Sequence, residues 1–234
     1  MRRNGENHMA DASEQIKRIK KIEQSIEDAL WASVTDEDHE KALGEYERAK
    51  QGLEALQDLP DVAERERKRV LSYCLMRIND ALERLERSEG SIQRAKQSLK
   101  LAEESEDRAQ TLRSRLALGI AMLNLGELRE AESNFEDIII QTQDETDDKD
   151  VIQVYGWTLI VRVNILLGKS LYNQAKELAN QALRVLSGIE NYAGLRTVHS
   201  LLSQIYEIEG DITNAESHRE ASQKYGTLAK EHRQ

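Results

Sequence analysis

Apolar positions recur at three- and four-residue steps along most of the chain, the period of one face of an α-helix. Ile16, Ile19, Ile22, Ile26, Ala29 and Ser33 form the first stripe and predict a helix over 11–34. Ala42, Tyr46, Ala49, Leu53 and Leu56 predict a return helix over 36–58, which Pro60 stops because proline cannot continue a helix. A third helix, 61–88, carries Val70, Cys74, Ile78, Leu82 and Leu85 behind a charged, solvated start at 64–69. From there the pattern predicts helices over 91–105, 107–125, 127–143, 147–167, 170–188, 190–209 and 211–231. The result is about ten helices in five hairpins, with connections short enough to make neighbours antiparallel.

A phrase repeats within this pattern. Gly90 is followed by Ala95, Leu99 and Ala102, and Gly126 by Ala131, Phe135 and Ile138. Gly210 is followed by Ala215, Arg219 and Ser222, and a looser copy links Gly168 with Ala175, Ala179 and Ala182. Each glycine is expected to make the left-handed turn that ends a helix, and each alanine to mark a close helix crossing. Asp107 and Asp211 are expected N-caps, with Thr146 or Asp147 capping the helix after the acidic stretch 144–150. A self-similar period of this length means stacked units that share one continuous core. The expected organisation is a disordered tail over 1–10, N-terminal hairpins over 11–88, and regular repeats over 89–234 ending in a capping helix.

Composition narrows the function classes. The formal charge is −10, so a phosphate backbone would be repelled and no nucleic-acid partner is expected. Unbroken apolar runs fall short of the roughly 18 residues of a membrane span, and no membrane partner is expected. No apolar segment follows Arg2 and Arg3, so no signal peptide is expected, and the reading is of a cytoplasmic protein. Cys74 is the single cysteine and lies in an apolar run, where it reads as a small core residue. His8, His39, His199, His218 and His232 are scattered, with His199 at an inner, packing position. The run 144–150 lacks the glycine and closing glutamate of a calcium loop. No cofactor, no metal and no catalytic constellation are expected. Trp157 and Trp31 both read as packing residues.

The phrase resembles the tetratricopeptide repeat. In the best copy, Leu118-Gly119 supplies the large-small pair, Met122 the next packing residue, Gly126 the turn, and Glu130-Ala131, Phe135 and Ile138 the second helix. Leu202-Ser203, Tyr206, Gly210 and Ala215 match likewise, as do Trp157 and Ile160-Val161 before Gly168. The key alanines Ala42, Ala95, Ala131, Ala175 and Ala215 are spaced more widely than the usual repeat of about 34 residues. Long helices of this kind look like the extended repeats of bacterial regulators and kinesin-light-chain-type proteins. The resemblance covers 76–225 and is weak before that. It implies an all-α fold of antiparallel hairpins stacked in a right-handed superhelix, whose first helices line a concave groove that binds protein segments and does not catalyse.

The resemblance also implies which residues face that groove. Five arginines fall there, Arg77, Arg84, Arg87, Arg113 and Arg162, against two acids, Asp80 and Glu207. Arginine forks bind carboxylates in pairs of hydrogen bonds, which suits an acidic peptide. Asn124, Tyr155 and Gln204 would add hydrogen bonds, and Ile120, Leu123 and Ile165 apolar pockets. Two readings of the arginines stand: a basic groove, or pairing with acids on adjacent helices. The Lys and Asn that hold a C-terminal carboxylate in this family are replaced here by Arg84, Ile120, Arg162 and Gln204, so that specificity is not implied. The expected function is an adaptor that binds a partner protein or peptide. The alternative is a structural protein that homo-oligomerises through the heptad-like stripes of 11–88.

Overall fold

The computed structural model describes residues 2–233. The side chains of 1–11, 35 and 36 lie outside the described residues, and the backbone of 2–10, where a disordered tail is expected, belongs to a helix. Among the described residues there are ten helices and no strands. They fall into two compact units, residues 1–125 and 126–234.

The first unit holds α1 (Arg2–Asp36), α2 (His39–Glu54), α3 (Asp61–Arg84), α4 (Ser91–Ser105) and α5 (Arg108–Asn124). Each helix packs on the next, and α1 on α3 and α3 on α5 as well, which is how stacked hairpins close a core that no single hairpin can bury. The core is built from the predicted stripes: Ile19 and Ile26 of α1, Tyr46 and Leu53 of α2, Val70, Cys74 and Ile78 of α3. Cys74 is fully buried, and its thiol donates to the Tyr46 carbonyl.

The second unit holds α6 (Leu128–Thr142), α7 (Lys149–Gly168), α8 (Tyr172–Gly188), α9 (Tyr192–Glu209) and α10 (Ile212–Glu231). Again successive helices pack together, and α7 also packs on α9. Leu159, Val163, Leu186, Val198, Leu202 and Ile205 form its centre, with Trp157 packed against it. α7 corrects one expectation: by length and composition it is apolar enough to cross a membrane. In the fold it touches α6, α8 and α9, and a helix covered on several sides is apolar on several faces.

The key alanines Ala95, Ala131, Ala175 and Ala215 are all buried, as the close crossings require. The turns are more varied than the glycine phrase predicts. Gly126 and Gly210 are left-handed after α5 and α9, but left-handed Gly90 instead opens α4 as its N-cap. Gly168 is the last residue of α7, and the left-handed position there is Ser170. Four corners share one hydrogen-bond pattern, the amides of Arg87, Leu171, Asn191 and Asp211 reaching the carbonyls of Leu82, Leu166, Leu186 and Tyr206. That six-residue closure is the Schellman motif. Glu86, Ser170 and Glu190 adopt the left-handed conformation in it without being glycine. Asp107 and Asp211 cap their helices as expected, whereas α7 is capped by Asp148, whose carboxylate accepts from the Asp150 and Val151 amides.

The unit boundary at 125/126 and the sequence division at 88/89 describe different properties. The first follows long-range packing and the second the regularity of a local phrase.

Candidate functional site

In the first unit α3 and α5 pack side by side, and their C-terminal ends carry three polar residues, two of them expected to bind a partner. Asn124, the last residue of α5, donates from Nδ2 to Glu83 Oε1 of α3 at 2.6 Å. Arg84 follows Glu83 directly and is exposed. Burial pushes the Glu83 carboxyl up from its ordinary value, against the Asn124 hydrogen bond and the nearby Arg84 charge. Arg84, Asn124 and Glu83 therefore form one polar cluster at a helix end. Arg113 is half-buried within α5 and already engaged.

Arg77 has a different role from the one expected. Its guanidinium lies 5.1 Å from the centre of the Tyr73 ring, and Nη1 reaches Asp80 Oδ2 at 3.1 Å. With 22% of the side chain accessible, it is a packing and pairing residue of α3 rather than an open ligand. Arg87 is likewise ion-paired, with Glu40 of α2. Arg87 thus pairs with an acid on an adjacent helix, whereas Arg77 pairs within its own helix.

In the second unit, Tyr155 is 6% exposed and turned toward α8, where its hydroxyl accepts from Gln181 Nε2 at 2.5 Å. Burial raises its phenol above the ordinary value. It packs α7 on α8 as a largely buried side chain, because its position on the helix turns it into that contact. Arg162 and Ile165 of α7 are half-buried. On α9, Thr197 and Ser200 are half-buried while Gln204 and Ile208 are exposed. The Thr197 hydroxyl donates to the Ala193 carbonyl. Since α7 and α9 pack together, these form two accessible rows on helices in contact. Glu207, beside Gln204's row, is ion-paired with Arg219 of α10. Among the described residues, neither Arg84 nor Arg162 forms a hydrogen bond or an ion pair.

Two arrangements escape the sequence. Ser72, Ser98, Ser114 and Gln110 make a fully buried polar cluster where α3, α4 and α5 meet, with hydroxyl contacts of 2.9–3.1 Å. The four residues are small or neutral and scattered, so only the packed register unites them. The second is a column of aromatic and imidazole rings between α9 and α10. Its residues come from two helices, and His199, expected inside, is half-buried within it. Among the described residues no group of three or more side chains could hold a metal ion.

No family model matches the chain, and no curated protein matches it in sequence. Solved structures do match. BtubC (BKLC) from P. vanneervenii is 15% identical, with a TM-score of 0.55 over 92% of this chain and 91% of that one. The Rap conjugation gene regulator of the plasmid pLS20, solved in complex with the Phr* peptide, is 16% identical, with a TM-score of 0.62 over 99% of this chain. The match covers 56% of the Rap chain, so the present chain spans little more than half of it. At these identities the likeness is one of fold: an all-α protein of stacked helical hairpins.

Proposed function

We propose that this chain is a protein-interaction scaffold of the tetratricopeptide type, taking a partner protein or peptide on the accessible faces of its first helices, α3 with α5 and α7 with α9. The observation that carries the reading is the state of Arg84 and Arg162. In a chain of net charge −10, they are accessible and form no ion pair among the described residues, whereas Arg77 and Arg87 are paired. An accessible guanidinium is a ready receptor for a carboxylate. We therefore assign an acidic segment as the ligand of each unit taken by itself: Arg84 with Asn124 in the first, and Arg162 with Gln204, Ile165 and Ile208 in the second. The Rap regulator, solved with a peptide on a similar fold, supports a peptide as the ligand class. The chain would bind rather than catalyse, and in the cytoplasm, where its single buried thiol would stay reduced.

The test is selection of ligands from a random peptide library on the intact protein. Titration of the winners against wild type and the Arg84→Glu, Arg162→Glu double variant follows, at low and high salt. Acidic winners that lose affinity in the variant and in salt are expected. Winners bound equally by both proteins would remove the arginines from the site.

A further inference from the structure

α10 is attached to the fold through α9 alone among the described helices, and only Ala215 and Ala229 of α10 are buried. The two helices are joined by the Ser203 hydroxyl on the Ala215 carbonyl, the Ser222 hydroxyl on the Arg196 carbonyl, the Arg219–Glu207 pair and a column of six rings: Tyr206, His218, His199, Tyr225, Tyr192 and His232. Three of the chain's seven tyrosines and three of its five histidines stand in this one column, so it is a concentrated feature of a chain poor in aromatics. His218 stacks on Tyr206 at 5.4 Å between centres, and His199 on Tyr225 at 5.3 Å. At the middle the two imidazoles meet, Nδ1 to Nδ1, at 2.8 Å.

A contact between two ring nitrogens requires one to donate and the other to accept. It is satisfied when both rings are neutral, one carrying its proton on Nδ1 and the other on Nε2. It survives one added proton. It fails when both rings are charged, because two N–H groups and two positive charges then face each other across the helix contact. We propose that the His199–His218 pair is an acid-sensitive latch, which holds α10 on α9 at neutral pH and releases it in mildly acidic solution.

The surroundings favour this direction. The neighbouring charges are already committed: Arg219 of α10 pairs with Glu207 of α9, and Lys176 of α8, above the Tyr206 ring, pairs with Glu209. The Arg196 side chain of α9 lies against the Gly226 backbone of α10. His232 closes the far end of the column on Tyr192. Among the described residues, no carboxylate acts on either imidazole to hold its charged form. Burial depresses both from the ordinary 6.5, His199 to about 4 with the second imidazole adding to the effect. A histidine depressed in the folded state contributes stability that is complete above 6.5 and is lost as pH falls toward the folded value. The window of release therefore lies between about 6.5 and about 4. A metal bridge is the weaker use of the pair, since two imidazoles without a third ligand hold an ion loosely. The latch does not depend on the peptide reading, although α9 also bears Thr197, Ser200 and Gln204.

The experiment is amide hydrogen exchange on the full chain with a chelator present, from about pH 7.5 to about pH 5, corrected for the intrinsic effect of pH. Protection of α10 relative to α7 should fall about tenfold or more in wild type, since each pKa unit of depression corresponds to a factor of ten per proton. It should stay level in the His199→Gln, His218→Gln variant. A constant ratio in wild type, or an equal fall in the variant, overturns the latch. Should the variant fold poorly, the imidazole proton resonances of wild type decide: midpoints below 6.5 for both histidines support the latch, and midpoints at or above 6.5 overturn it.

Discussion

Leu186 of α8 is lodged against the bare backbone of Gly156 on α7: a Cβ at 156 would lie 2.4 Å from Leu186 Cδ2 and 2.7 Å from Cγ. On its other side the same side chain meets Gly194 of α9, where a Cβ would be 2.8 Å from Leu186 Cδ1. Two glycines thus form a socket for one fully buried leucine, and through it three helices approach closely.

Gly156→Ala should therefore destabilise the second unit. An alanine inside a helix gains up to about 1 kcal/mol in propensity. Overpacking a site whose neighbour cannot swing aside costs about 1–3 kcal/mol, and Leu186 is held on both sides. Gly44→Ala in α2, where a Cβ meets nothing within 4 Å, should instead stabilise by about 0.5–1 kcal/mol. Urea unfolding of the two variants beside wild type checks both signs.

Ser72→Ala should cost about 0.5–1.5 kcal/mol, the net worth of a buried hydrogen bond whose partners keep other bonds. The Ser72 hydroxyl links Ser98, Ser114 and Gln110 Nε2, and Gln110 Oε1 is already without a partner among the described residues. Removing the hydroxyl takes one contact from each of Ser98, Ser114 and Gln110 Nε2, which keep their bonds to one another, to the Ser72 carbonyl and to Met76 Sδ. A stability equal to wild type would show that the cluster rearranges without loss.

Arg77 and Arg84 should respond oppositely. Arg77→Ala removes the Tyr73 contact and the Asp80 pair and should cost about 1–2 kcal/mol. Arg84→Ala, at an exposed helix end, should leave stability within about 0.5 kcal/mol and lower affinity for an acidic peptide. Thermal melts and peptide titrations of both variants separate the structural arginine from the binding one.

Cys74 should be inert to alkylation in the native protein. Burial pushes its thiol up to about 12, so almost no thiolate exists near neutral pH, and the sulfur is inaccessible as well. Iodoacetamide should label it only in denaturant. Rapid labelling of native protein would mean that the α2–α3 contact opens readily.

Helix positions are largely legible in the amino-acid pattern, because a stripe of apolar residues at helical spacing is a local property. Asp107 and Asp211 as caps and the four buried alanines follow from the same local pattern. The α7 cap falls one residue away, at Asp148, because several acids in a row satisfy the same rule. The candidate site is less legible. The resemblance to the tetratricopeptide repeat implies Arg77 and Tyr155 among the ligands, but a helix presents every side chain to some neighbour, and which neighbour depends on how helices pack. Packing turns Arg77 onto Tyr73 and Asp80, and Tyr155 onto Gln181.

The sequence by itself determined an acidic all-α chain of ten helices in stacked hairpins, since periodicity, turn residues and charge need no long-range knowledge. Tertiary structure alone decided that Leu186 fills a socket made by Gly156 and Gly194, that four scattered polar residues share one buried cluster, and that His199 meets His218. Each of these joins residues from different helices, and only the register between those helices, set by close packing of whole faces, brings them within contact distance.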